Sequence, residues 1–149
     1  MSRIKIGLPA IFHFSTAIPI RITDLNYGGH VGNDMILGLL HEARVQFLAS
    51  LGYKEMDFAG VGLIMTDVAI EFRSEIFYGD TIIASVSPGD LTRISFDLYY
   101  KLEKQTPTSR ILAAAAKTSM ACYDYSRKKL APMPEEAGEK FKGLRSLKV

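Results

Sequence analysis

The chain of 149 residues contains one cysteine, Cys122. A single thiol builds no disulfide framework and leaves no Cys-based metal site. It fits a reducing, cytoplasmic compartment. Long hydrophobic runs are also missing. No stretch reaches the roughly 18 apolar residues that a membrane span needs. Residues 34–51 come nearest, but His41, Glu42, Arg44 and Gln46 interrupt them. The first ten residues carry Arg3 and Lys5 without a long apolar run, a poor match to a signal peptide. Charge of one sign is scarce: the formal net charge is +2, and the one tight basic cluster, Arg127-Lys128-Lys129, reads as a solvated turn. Nucleic acid is therefore not an expected partner. Internal repeats, low-complexity tracts and linkers are absent from the sequence as well.

What remains is a chain that is 48% hydrophobic and long enough for one domain, residues 1–149, with a sizeable core. Residues 14–23 read as a first strand, β-branched in its second half, with Pro19 marking an edge or a bulge. Residues 34–51 read as a helix, with Asn33 as N-cap, Asp34 in the first turn and Gly52 where a left-handed C-terminal glycine belongs. Its apolar residues cover most of the circumference, which predicts a helix wrapped by other structure. Residues 53–60 form a short turn or helical piece. Four strands follow, over residues 62–76, 80–87, 95–104 and 110–125. Turn signals separate them at Tyr78-Gly79-Asp80, Pro88-Gly89-Asp90 and Thr106-Pro107-Thr108. Alternation is clear in Val68-Ala69-Ile70-Glu71-Phe72-Arg73. The alanines at 113–116 favour helix on propensity, yet their β-rich flanks argue for a strand whose small side chains admit the helix closely. Residues 135–144 make a short terminal helix or a loose tail. This order predicts an α+β layout, a sheet curled around one central helix.

The most informative segment joins the first strand to that helix: Asp24-Leu25-Asn26-Tyr27-Gly28-Gly29-His30-Val31-Gly32-Asn33. A glycine-rich loop entering a helix start lets a ligand approach bare amides. Those amides carry the positive end of the helix dipole and suit an anion or a developing oxyanion. Polar side chains at positions 24, 26, 30 and 33 gather at the same place.

Three pieces, in this order and spacing, resemble the hot-dog fold thioesterases of the 4-hydroxybenzoyl-CoA thioesterase type. They are Asp24-x-Asn26-x-x-Gly29-His30-Val31-x-Asn33, His41-Glu42-Ala43-Arg44, and Phe72-Arg73-x-x-x-x-Tyr78-Gly79-Asp80. The resemblance spans about residues 14–130. It implies hydrolysis of an acyl-CoA or acyl-carrier-protein thioester, no metal and no cofactor, and a homodimer or homotetramer with active sites at subunit interfaces. It also implies that the backbone N–H of Asn33 polarises the thioester carbonyl beside Gly29, with Gly28, His30 and Gly32 in the substrate-binding loop. Asn26 falls where many such enzymes place a catalytic aspartate. An amide cannot serve as a carboxylate nucleophile or as a base near neutral pH, so Asn26 holds water or substrate and another group takes the proton.

Asp24, Glu42 and His41 are the candidates for that proton. Asp24 shares a face with Asn26 on an extended segment, and is either a base or a turn-stabilising Asx residue. Glu42 and His41 lie near the spacing at which a second branch of hot-dog thioesterases carries a helical carboxylate. Adjacent helical residues point about 100° apart, so at most one of them faces the site. The alternatives are an ion pair of Glu42 with Arg44 or at a subunit contact, and a structural histidine at 41. His30 contacts substrate or fixes the loop. Asp67 reaches a neighbouring subunit's site or marks an exposed strand end. Arg73 meets CoA phosphates or is an ordinary surface arginine, and His13 is structural. Two other classes remain. A hot-dog enoyl-CoA hydratase uses Asp-x-Asn-Pro-x-His, from which Tyr27 and the late His30 depart. A non-catalytic acyl-CoA binder would show saturable binding without thiol release.

Overall fold

β-branched and aromatic residues in alternation build one antiparallel sheet. The computed structural model describes residues 2–147. Its strands are β1 (Phe14–Pro19), β2 (Gly62–Phe72), β3 (Thr81–Leu91), β4 (Ser95–Gln105), β5 (Arg110–Asp124) and the short β6 (Lys129–Leu130). They run in the order β1-β3-β4-β5-β2, with β6 beside β5. The period of two is plain in β4, where Phe96, Leu98, Tyr100 and Leu102 are buried and the residues between them are not. On that inner face lies α1 (Asn33–Ser50), which buries Ile36, Leu39, Leu40, Ala43, Phe47 and Leu48 along one side. Ala114 and Ala116 join the same core, in a strand paired on both flanks. Pairing with two neighbours therefore overrides the helical propensity of the alanines. A second helix, α2 (Glu135–Ser146), seats Phe141 against the rings of Phe47, Phe58 and Phe96, with centroids 5.9, 5.6 and 4.8 Å away. The result is the expected hot-dog layout, a curved antiparallel sheet around one long helix.

Several boundaries differ from the sequence reading, each for a local reason. The first strand ends at Pro19, and residues Ile22–Asp24 form a 3₁₀ turn instead of its continuation. Asp24 closes that turn by accepting the Arg21 backbone N–H at 2.8 Å. Asn33 is the first helical residue and Gly32 is the N-cap. Gly52, at φ +86°, follows the helix as expected. β2 stops at Phe72 because Arg73 and Ser74 both donate to the carbonyl of Ala113, at 2.9 and 3.2 Å, which ends the ladder. Pro88-Gly89-Asp90 is no turn. It lies within β3, at a register break between Pro88 and Leu91. β1 pairs no further than Val86, so β3 has no β1 neighbour beside Pro88 and tolerates a proline. Finally, α1 is not wrapped on all sides: Leu37 and Val45 stay 41% and 44% exposed on a stripe that includes His41.

A polar cluster sits deep in the core. Arg44 is buried and donates from Nε to Glu55 Oε1 at 2.7 Å and from Nη1 to the Tyr100 hydroxyl at 3.3 Å. That hydroxyl pairs with Thr118 Oγ1 at 2.8 Å. Burial pushes the Tyr100 phenol above its ordinary range, so it stays protonated. Removing one partner of a buried ion pair costs about 3–5 kcal/mol. Glu55 keeps 23% of its side chain exposed and also touches His41, so the remaining charge is partly solvated. Arg44→Ala is expected to destabilise the fold by about 2–3 kcal/mol in denaturant melts, and Arg44→Met by clearly less because its stem keeps the packing.

Candidate active site

The loop between the 3₁₀ turn and α1 closes on its own backbone. Asn26 N–H donates to His30 O at 2.9 Å, Gly29 N–H to Asn26 O at 3.1 Å, and Leu25 bridges to Val31. Asn26 Oδ1 accepts the Gly28 N–H at 2.8 Å, an Asx-type turn. Gly29 takes φ +83°, a conformation that side chains resist. Gly32 has an ordinary φ of −72°, but a Cβ there would lie 2.6 Å from Asp34 Oδ1 and 3.3 Å from Asn26 Nδ2, so both side chains crowd it. The Asn26 amide is thus packed against the start of α1. A second tie joins the loop to the chain after β2, through Val31 N–H to Ile76 O at 2.8 Å and a bridge between His30 and Phe77.

Among the described residues no side chain caps α1. The Asn33 and Asp34 N–H groups therefore keep their donor capacity at the positive dipole end, while Met35 N–H donates to the Gly32 carbonyl at 3.0 Å. At this end of the helix, Asn33 borders a cleft of about 260 Å³ that it lines with His30, Val31 and Ile36 on one side and that Phe72, Arg73, Ser74, Glu75 and Ile76 line on the other. Exposed aromatic residues, Tyr27, Phe77 and Tyr78, belong to the loops at this end. Asn26, Gly28, Gly29, His30, Gly32 and Asn33 are therefore brought together.

The three proton acceptors proposed from sequence lie elsewhere and in different settings. Asp24 is buried, which alone would raise its carboxyl; the Arg21 N–H and guanidinium more than offset this and hold it below its ordinary value. Its partner Arg21, Glu42, Met35 and Gly38 line a second cleft with it, of about 330 Å³. Glu42 is exposed there, and its Oε2 accepts the Gln46 side-chain amide at 2.9 Å. It makes no pair with Arg44, which turns inward to Glu55. His41 points to a third region and contacts Glu55 at 3.4 Å. Nine residues separate Asn33 from Glu42, or roughly 13 Å along the helix.

Ser74 and Glu75 in the cleft wall were missed from sequence, where they read as strand. Only the early end of β2, set by the Ala113 carbonyl, turns them into the cleft wall. Asp67 is held by Lys117 at 3.1 Å, which together with Ser119 keeps its carboxyl below the ordinary range. His13 meets the Leu147 carbonyl. Burial pushes the Cys122 thiol up to about 11, leaving it without nucleophilic character at neutral pH. Among the described residues no group of three or more His, Cys, Asp or Glu side chains is placed to hold a metal ion, and no helix is long and apolar enough to cross a membrane.

A hot-dog scaffold whose glycine loop delivers an open helix start to a cleft points to acyl transfer from a thioester. Residues 20–141 match the thioesterase-like superfamily, and the chain belongs to that family. A 1,4-dihydroxy-2-naphthoyl-CoA hydrolase from Microcystis aeruginosa is 31% identical over 119 residues, covering 78% of this chain and 83% of that one. Among solved structures, a 1,4-dihydroxy-2-naphthoyl-CoA thioesterase from Synechocystis superposes with a TM-score of 0.79 at 20% identity, covering 90% of this chain and 98% of the other. A DHNA-CoA thioesterase from Staphylococcus aureus gives 0.78 at 19% identity, covering 88% and 91%. These two share the fold. All three bear names of thioester hydrolases, and the hydratase reading finds no support among them.

Proposed function

We propose that this protein hydrolyses an aromatic acyl-CoA thioester, with a dihydroxynaphthoyl group as the first candidate. The observation that carries the reading is the uncapped start of α1, held at a cleft by the Gly28–Gly29 loop. The naphthoyl relative and the aromatic residues beside that loop support the acyl class. The thioester oxygen accepts the Asn33 N–H, which stabilises the oxyanion as water attacks the carbonyl carbon. Asn26 holds the water. A carboxylate takes the water's proton, the C–S bond breaks, and that proton passes to the departing thiolate.

Of the carboxylates singled out in the sequence, Glu42 is the one left to act as a base, since Asp24 is tied to Arg21 while Glu42 carries only a neutral amide. The separation of roughly 13 Å along α1 keeps it from a carbonyl bound at Asn33 of its own chain. Glu42 therefore acts from a second copy. β2 favours such an assembly: among the described residues it pairs only with β5, and its outer edge, met by Arg3 at Phe72, exposes Met65 and Val68. A homodimer or homotetramer is expected in sedimentation, and a catalytically competent monomer would overturn this arrangement.

Thiol release from a panel of 1,4-dihydroxy-2-naphthoyl-CoA, benzoyl-CoA, aliphatic acyl-CoAs and an acyl-carrier protein tests the reading. Turnover is expected to be fastest with the aromatic CoA thioesters; saturable binding with no thiol release from any of them would leave a binder instead. Asn26→Ala should lower kcat about tenfold, the worth of one hydrogen bond to a reacting group. Asn26→Asp keeps the acceptor for the Gly28 N–H, and a large rise in its rate would mark the natural chain as specialised for something other than hydrolysis.

A further inference from the structure

We propose that the N-terminal arm, residues 2–13, is a strap that positions Arg73 in the cleft wall, acting through Glu71. This rests on the hydrolytic reading of that cleft. The arm has no regular secondary structure and lies before the segment, 20–141, that matches the family. It nevertheless follows a defined path over the outer face of the sheet. One register row crosses all five long strands: Ser15, Ser85, Lys101, Ala115 and Glu71. The arm follows this row. Over the middle strand, β4, the Phe12 ring sits under Lys101 Nζ, 4.9 Å from the centroid. At the β2 edge, Ile6 N–H donates to Glu71 Oε1 at 3.1 Å and Arg3 Nη2 to the Phe72 carbonyl at 2.9 Å. Ala115 is buried although it lies outside the core around α1, as a covered row requires.

Glu71 connects the arm to the cleft. Its other oxygen, Oε2, accepts Arg73 Nη1 at 2.9 Å, and its side chain is only 11% exposed. The Ile6 N–H, followed by the Arg73 guanidinium, holds the Glu71 carboxyl below its ordinary range, so the pair stays charged at neutral pH. Arg73 itself lines the cleft that contains Asn33 and is half exposed. An exposed arginine left to itself samples many rotamers. A carboxylate anchored at both oxygens restricts it, and so fixes a positive charge beside the helix-start amides. A polyanionic thioester then meets a preorganised cation.

Deleting residues 2–9 and replacing Glu71 by alanine are each expected to raise KM by roughly threefold to tenfold while kcat stays within about twofold, the scale of one or two hydrogen bonds. Because both act through one carboxylate, the combined variant should be no worse than the more affected single one. Ile6→Pro removes the donated N–H while keeping the arm at full length, and serves if the deletion folds poorly. Amide hydrogen exchange over residues 72–76 should quicken in the deletion and in Ile6→Pro. An unchanged KM in a folded deletion protein overturns the proposal, even if melting shifts. Fully additive effects overturn the route through Glu71. Should the wild-type protein release no thiol from any acyl-CoA, the hydrolytic reading fails, and the exchange result alone decides the strap: quicker exchange supports it and unchanged exchange refutes it.

Discussion

A Gly29→Val protein is expected to fold and to lose kcat by a factor of about 10²–10³, as when one oxyanion donor is removed. The cause is in the backbone. Gly29 has φ +83°, and a Cβ there meets no described atom within 4 Å, so collision inside the chain is not what harms it. A β-branched residue resists that conformation. Relief requires the loop to move, and with it go the Gly29 N–H to Asn26 O bond, the Asn26 amide and the His30 bridge to Phe77. The helix-start amide would then no longer face an aligned carbonyl. Asn33→Ala provides the contrast: it leaves the backbone donor in place and should change kcat by no more than about threefold, as an exposed substitution does. Steady-state thiol release, with melting curves to establish folding, checks both. Normal kinetics from a folded Gly29→Val protein would remove the site from this loop.

Glu42→Gln should cost about 10²–10⁴ in kcat, the usual contribution of a positioned general base. The amide is nearly isosteric and can still accept from Gln46, so stability should hold. The decisive measurement combines this variant with the previous one. If each site takes its loop from one copy and Glu42 from another, then co-refolding Gly29→Val with Glu42→Gln creates hybrids with one whole site, and activity returns. If loop and base belong to the same chain, every site in the hybrid is damaged and nothing is recovered. Recovery is the expected result. Its absence, with hybrids demonstrated, would return the search to His30 and Glu75, which line the cleft beside Asn33 within one chain.

Much of this molecule could be read without coordinates, because local patterns dominate there. Alternation marked the strands, the run from Asp34 to Leu51 marked the helix, and glycines with Asn26 marked the loop. All are interactions between residues close in sequence, and all appear where expected to within a few positions. The exceptions have tertiary causes. Pro88-Gly89 looks like a turn, but lies in a strand beyond the reach of β1. Residues 73–76 look like strand, but the carbonyl of Ala113, about forty residues further on, draws the chain aside.

The sequence placed a glycine loop directly before a helix start, where backbone donors lie open unless a side chain caps them; that Asn33 is the first helical residue and not the cap was decided by folding. The directions of the charged side chains were settled only by folding. Asp24, His41 and Glu42 were all candidates as letters; Arg21, Glu55 and Gln46 divided them between a turn, a contact with the Arg44 partner, and an exposed carboxylate, while Tyr100 drew Arg44 into the core. Those partners come from across the fold as often as from nearby, and no periodicity encodes them. The arm is the extreme case: nothing in residues 2–13 announces a contact with Glu71, some 65 positions away, until the sheet brings its two edges under one strap.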